Sequence, residues 1–420
     1  MPIRFIHTSD IHLGKTYRSG GAAGERYGDF FATFAAIVAD AIREKVDFLL
    51  IGGDLFHTGQ ILPKTFAKTI EILQPLKDAG IPCVAVEGNH DWIHRRDSVS
   101  WMEALSQLGY LSLLRPSRTP DSGYCFDPFD PEEGSGGYLE IAGVNVYGLG
   151  YIGSQAGTHI ERICQAVTTR RNILLFHVGV WSYSPVEIGN IKPEEALPLA
   201  DCFDYVALGH GHKPYIVETP EGRPYAFNPG SPECVNFGEE RYDKGYYLVT
   251  MDDDGIRHLF KASSPRPMLV LTVDLDGALT AGEALERFGA RMRERLATLA
   301  DDRAPLIEVR LIGKVAFHPF ELSRDRLRCA LEEIRQPLHL EIKNHLSQIA
   351  SSGGEEKVKK SLAEIERDVL GELIRANSSY RDRESELIEL SLALRDLVLK
   401  GDAEGEELLG LLSRRGGSCD

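Results

Sequence analysis

The chain has 420 residues, 43% of them hydrophobic, which is enough to bury a sizeable core in more than one domain. Its 47 basic and 63 acidic side chains leave a net charge of −16, which argues against a protein that coats nucleic acid indiscriminately, though not against one that meets it through bound dications. Seven scattered cysteines (83, 125, 164, 202, 234, 329 and 419) form no C-x-x-C pair, which argues against a zinc ribbon or disulfide framework and predicts reduced thiols in a cytoplasmic protein. The opening Met-Pro-Ile-Arg-Phe-Ile-His predicts no signal peptide, and the lack of any run of about 18 apolar residues predicts no membrane span.

In chain order, residues 1 to 262 read as alternating strands and helices. Short apolar runs at Arg4–Thr8, Phe48–Ile51, Cys83–Val86, Ile173–Phe176 and Tyr205–Leu208 each lead within two residues into Gly, Asp, Asn or His. Helical stretches such as Phe30–Lys45 and Lys64–Ala79 lie between the early ones, which predicts an α/β sheet covered by helices. Gly137–Leu149 and Gly245–Phe260 alternate as strands do, with a hairpin turn at Asp252–Gly255, so a mixed sheet or two packed sheets fits better than a purely parallel one. Gly20–Gly24 reads as a mobile loop. The breaker cluster Ser263–Pro267 predicts a boundary, followed over 265–350 by strand, helix, strand, helix and strand, a small α+β unit. Ser351–Gly354 predicts a second boundary. Beyond it, over 355–420, Val358, Leu362, Ile365, Val369 and Leu373 mark one amphipathic helix, with others near Glu384–Leu399 and Glu406–Arg414.

Five motifs sit at strand ends, where open α/β sheets form their ligand crevice: Asp10-Ile11-His12, Gly52-Gly53-Asp54, Gly88-Asn89-His90-Asp91, His177 and Gly209-His210-Gly211-His212. Carboxylate and amide oxygens beside imidazoles suit two borderline-hard dications. Asp-x-His and His-x-His each offer two ligands from one segment, on the expectation that i and i+2 of an extended chain point the same way. Asp54 closes an apolar strand, where an unpaired carboxylate is costly and a bridging role between cations offsets that cost. One such motif alone is more often a cap or a satisfied core residue, but five in this order are not an accident. His7, His159, His258, His318, His339 and His345 have no such context and read as structural.

The series is similar to the calcineurin-like metallophosphoesterase superfamily. Within it, Ser9-Asp10-Ile11-His12-Leu13-Gly14 and Gly53-Asp54-Leu55-Phe56-His57 resemble the DNA double-strand-break repair nucleases of the SbcD type, with their Mre-type relatives. Asn228-Pro229-Gly230-Ser231-Pro232-Glu233 resembles the loop that closes that catalytic domain. The resemblance covers 1–260 strongly, is architectural over 265–350 and is weakest in the tail. It implies a four-layer metallophosphoesterase core of mixed sheets flanked by helices, a small α+β capping domain that shapes the DNA approach, and a helical C-terminal tail. It implies that Asp10, His12 and His212 hold one metal, that Asn89, His177 and His210 hold a second, and that Asp54 bridges them. His90 would sit beside the metals as acid or as stabiliser of the leaving oxygen. His57 would touch the phosphate path, against the alternative that it anchors its loop by packing. The family's metal is manganese, its assembly a homodimer, and its C-terminal helices bind an SMC-like ABC ATPase of the SbcC type.

The chemistry so implied is phosphodiester hydrolysis, in which two dications about 3.5–4 Å apart activate a water and clamp the attacking and leaving oxygens. Lys15, Arg18, Arg95 and Arg96 flank the motifs, either meeting neighbouring phosphates or forming a solvated face. Two other readings stand beside the nuclease: a protein phosphatase or cyclic-nucleotide phosphodiesterase on the same site, and a structural adaptor with a vestigial site.

Overall fold

The apolar runs Phe48–Ile51, Asn172–Phe176 and Tyr205–Leu208 are buried at every position, as central parallel strands covered on both faces must be. The computed structural model describes residues 2–16, 22–92, 98–119, 123–167, 171–186, 188–349, 361–376 and 383–400. It divides into two compact units, Met1–Ile349 and Ala350–Asp420.

Two mixed sheets form the centre of the first unit. One has seven strands in the spatial order Gly255–Ala262, Gly245–Asp252, Ile3–Thr8, Phe48–Ile51, Cys83–Ala85, Ser112–Leu114 and Ser135–Gly136. The other has six, in the order Tyr215–Glu218, Pro224–Asn228, Tyr205–Leu208, Asn172–Phe176, Val144–Leu149 and Tyr138–Ile141. Their facing sides share one core that includes Phe5, Phe48, Leu50, Ile173, Leu175, Tyr205, Phe227 and Val249. Aromatic rings stack within it, Phe5 on Phe48 at 5.0 Å and Tyr205 on Phe227 at 4.4 Å between centroids. His7 crosses from one sheet to the other. Its Nδ1 lies 3.0 Å from the Tyr205 hydroxyl and its Nε2 2.9 Å from the Leu208 carbonyl, which confirms a structural role.

Helices cover the outer faces. Ala22–Glu44, Pro63–Asp78 and Trp101–Gln107 bury Phe30, Phe34, Leu73 and Met102 against Leu49 and Ile51 of the first sheet. Ile160–Ala166 and Leu199–Cys202 bury Ile160, Ile163 and Leu199 against Leu174 and Val206 of the second. The result is helix, sheet, sheet, helix: the four-layer core. The first helix begins at Ala22, so residues 22–24, expected in a mobile loop, are helical instead, with Glu25 in the first turn where a carboxylate suits the helix dipole.

Beyond residue 262, Met268–Asp274, Leu306–Val315 and His339–Gln348 form a three-stranded sheet, parallel throughout, with helices Ala281–Leu296 and Arg324–Glu332 between them in the chain. Thr280 and Ser323 cap those helices by accepting the amides of Glu283 and Arg326. Phe288, Met292, Val309, Leu311 and Leu331 fill a core of their own. Arg266, from the breaker cluster, is buried and joins this layer to the rest. Its guanidinium holds both oxygens of Asp29, at 2.6 and 2.9 Å, and donates to the Ala304 carbonyl, while its backbone N–H donates to Glu233. Fully buried Arg26 bonds the same two carboxylates, at 3.2 and 3.0 Å.

The second unit contains the helices Leu362–Ala376 and Glu384–Lys400, paired through Arg367 with Glu389 and Arg395 with Glu366. Val369 and Leu373 are about half exposed, at 48% and 58%. Val358 and the helix expected near Glu406–Arg414 lie outside the described residues. Among the described residues no helix is long and apolar enough to cross a membrane.

Candidate metal centre

The five motifs converge at the carboxyl ends of the two sheets. The loops 10–13 and 53–57 run side by side, with Asp10 N–H donating to the Gly53 carbonyl, His12 N–H to Asp54 (both 3.0 Å) and Leu13 N–H to Leu55 (2.8 Å). Asp91 ties in the third loop by accepting the amides of Phe56 (2.8 Å), Gly88 (2.9 Å) and Leu55 (3.2 Å). Two glycines make this closeness possible. A Cβ on Gly53, which has φ +97°, would fall 2.3 Å from the His177 ring, and one on Gly88 would fall 2.0 Å from Asp54 Oδ1.

The donors form two sets around Asp54. In the first, Asp10, His12, Asp54 and His212 offer atoms that all lie within 4.8 Å of one another. His12 Nε2 faces His212 Nε2 at 3.0 Å, and His212 Nε2 is 3.7 Å from Asp10 Oδ1. In the second, Asn89 Oδ1 lies 3.3 Å from His177 Nε2 and 3.0 Å from His210 Nδ1. Asp54 Oδ2 stands between the sets, 3.8 Å from His12 Nε2 and 3.7 Å from His177 Nε2.

The expected geometry fails in one respect. Asp10, His12, Asp54 and His210 have φ of +53°, +53°, +52° and +80°. The motif side chains are therefore aimed by left-handed turns, and the argument that i and i+2 of an extended strand point alike does not apply. Each such residue costs about 1–3 kcal/mol, which the surrounding hydrogen bonds must hold in place.

Three of the four imidazoles are set by a carbonyl or carboxylate partner on the far nitrogen. His177 Nδ1–H donates to the Gly52 carbonyl (2.6 Å), His210 Nε2–H to the Ile188 carbonyl (2.7 Å) and His212 Nδ1–H to Glu239 Oε1 (2.8 Å). These partners select the tautomer that turns a lone pair toward the centre. Burial keeps the rings neutral: it pulls His177 down to about 3, His12 well below the ordinary value and His210 below it as well. His212 goes the other way, because the hydrogen bond and charge of Glu239, with Asp10, outweigh burial. Burial, with Asp10 and Asp91 nearby, pushes Asp54 well above the carboxylate range. A buried carboxylate so disfavoured, beside three imidazoles held neutral, fits a site for dications, whose charge removes the penalty.

His90 lies beside both sets. Its backbone N–H donates to Asp54 Oδ1 (2.9 Å), its Nδ1–H donates to the His57 carbonyl (2.8 Å), and its ring meets that of His12 edge-on at 4.9 Å. His57 stacks on His90 at 5.4 Å, and its Nε2 is 3.1 Å from Lys15 Nζ. His12, His57 and His90 form a further group of close donors. All nine residues singled out in the sequence thus meet. Lys15 lies against His57, whereas Arg18, Arg95 and Arg96 fall outside the described residues. His159 meets Tyr124 edge-on, His258 lies tilted against Phe227 and His339 stacks on Phe237, away from the centre.

The motifs do not include Glu239, Lys244 or Tyr151, and Asp91, named within its motif, was assigned no role. Glu239 is buried and held down to about 2: burial opposes this, but His212 and Lys244, 2.6 Å away, prevail. Lys244 also donates to Ser231 and to the His212 carbonyl. Neither residue has a motif spacing, and their only signal was proximity to Asn228–Glu233. That loop does brace the centre, since Asn228 donates to the carbonyls of Gly211 and Lys213.

A family model described as calcineurin-like phosphoesterase matches residues 3–214, and the chain belongs to that family. Within it, the chain is homologous to archaeal proteins called DNA double-strand break repair protein Mre11. That of Halobacterium salinarum is 30% identical over 295 residues, 70% of this chain and 67% of that protein. That of Saccharolobus solfataricus is 30% identical over 258 residues, 60% and 61% of the two chains. That of Sulfolobus acidocaldarius is 23% identical over 397 residues, 92% and 94%. The chain spans about three fifths of the Saccharolobus relative.

Proposed function

We propose that this chain is a two-metal phosphodiesterase acting on DNA ends, a repair nuclease of the Mre11 type. The observation that carries the reading is the position of Asp54 Oδ2 between two donor sets, 3.8 Å from His12 and 3.7 Å from His177. In this reading Asp10, His12 and His212 hold one dication, Asn89, His177 and His210 the other, and Asp54 is shared. Bound there, two dications, manganese by analogy with the family, would supply Lewis acidity and an activated water. The protein's own part is to orient. His90, fixed through Nδ1 by the His57 carbonyl, presents its other nitrogen for a proton or hydrogen bond to the leaving oxygen. His57 and Lys15 line the phosphate path. The homology to repair proteins named Mre11 supports DNA as the substrate over a phosphoprotein or a cyclic nucleotide, and the completeness of the donor sets speaks against a vestigial site.

On the same reading, 1–262 is the nuclease domain, 265–350 a cap that shapes the DNA approach, and 355–420 a tail that docks an SMC-like ABC ATPase. The exposed Val369 and Leu373 support the last assignment. A homodimer in the cytoplasm completes the proposal.

The test is manganese-dependent cleavage of linear duplex DNA, single-stranded DNA and a chromogenic diester. The wild type should cut all three, and His90→Asn should retain its metal while losing roughly 10²–10⁴-fold in turnover. Hydrolysis of a phosphopeptide without cleavage of DNA would contradict the reading, as would full turnover in His90→Asn.

A further inference from the structure

The loop that carries Asn89 and His90 into the metal centre also presents Glu87 and Trp92 to a different space. These two, with Ser98, Glu103 and Arg115, line a cavity of about 270 Å³ beside the centre. That is just under the roughly 300–1,000 Å³ of sites for drug-sized ligands, a size for one planar ring system. Trp92 is 53% exposed, unusual for so large an apolar side chain next to a site, and its ring lies 5.5 Å from that of Tyr151. Tyr151 in turn packs against His210 at 5.2 Å and His177 at 6.1 Å. An unbroken aromatic path thus leads from the second donor set to the cavity.

The cavity's polar groups define what it accepts. Arg115 bridges Glu87 Oε2 at 2.8 Å and Glu103 Oε2 at 3.2 Å. Two carboxylates against one guanidinium leave the lining negative, which repels a phosphate and favours a neutral ring that donates hydrogen bonds. Glu87 and Glu103 both line this cavity, and a carboxylate there accepts from a ring N–H or amino group.

We propose that this cavity receives an unpaired nucleobase, stacked on Trp92, from the strand whose phosphodiester is cut at the metal centre. The inference rests on the nuclease reading and narrows it. A base inside a duplex has neither face free, so the substrate class is single-stranded DNA or a frayed end, whose bases can leave the stack.

The experiment compares a dinucleoside monophosphate with its two abasic analogues, each lacking one base, in the manganese-loaded enzyme. Loss of one of the two bases should lower kcat/KM by roughly five- to hundredfold, the range of one base–aromatic stack. Trp92→Ala should shrink that ratio toward one, and Trp92→Phe should keep part of it. Binding is read separately, in EDTA, from the tryptophan emission that Trp92→Phe removes: a base-bearing oligonucleotide should quench it and an abasic one should not. Equal hydrolysis of all three compounds, or an equal loss on all three in Trp92→Ala, overturns the base pocket while leaving the nuclease reading intact. Base-dependent quenching without any hydrolysis keeps the pocket and sinks the nuclease reading instead.

Discussion

Glu239 shows how a residue without a motif can govern one with a motif. Its carboxylate accepts a hydrogen bond from His212 Nδ1–H and is itself fixed by Lys244 and by the amide of Val235. Glu239→Ala should therefore weaken binding of the ion nearer His212 by about 10–100-fold, while Glu239→Gln, which keeps an acceptor for Nδ1–H, should recover part of it. Titrating the metal into each variant checks this, and unchanged affinity in Glu239→Ala would refute the positioning role. That the site residues gather was foreseeable, because Asp, Asn and His at the ends of apolar runs are chemically conspicuous, with His57 added by the family resemblance alone. How they are aimed was not. Left-handed φ at Asp10, His12, Asp54 and His210 is held by tertiary hydrogen bonds, such as His12 N–H to the Asp54 carbonyl, that leave no trace in local spacing.

The strands Ile3–Thr8 and Tyr205–Leu208 belong to different sheets, and His7 is their polar tie. Burial lowers His7 from 6.5 to about 3. In the unfolded chain the ring takes a proton as pH falls through 6.5, whereas in the fold it resists until about pH 3. The unfolded state thus binds more protons across that window, so stability is highest above pH 6.5 and falls as pH drops toward 3. Thermal midpoints of the metal-free protein between pH 7.5 and 4.5 should decline, and less steeply in His7→Gln. Equal slopes in the two proteins would remove His7 as a cause. Among elements, the short apolar strands and the hairpin at Asp252–Gly255 were readable from pattern. The breaker cluster Ser263–Pro267 was readable as a boundary but not as a joint, because nothing local marks Arg266 as the partner of Asp29, 237 residues away.

At the scale of the molecule, the proposed nuclease, a chain of net charge −16, would have to bring a phosphodiester to a site with two buried carboxylates, Asp10 and Asp54. Only cations at the centre reconcile the two, and this is why composition alone pointed away from nucleic acid while the motifs pointed toward it. The tail has the opposite character: its amphipathic periodicity was plain in the sequence, but periodicity does not say what an apolar face meets. Removing residues 355–420 should abolish binding of an SMC-like ATPase in a pull-down and spare hydrolysis of a chromogenic diester. Undiminished binding would rule out docking through the tail. Metal content is the most direct measure of the shared centre. Equilibrium dialysis against manganese, followed by elemental analysis, should find two ions per chain in the wild type. Asp54→Asn should hold one ion or none, with hydrolysis lost. A single ion in the wild type, or two in Asp54→Asn with hydrolysis retained, would contradict the account.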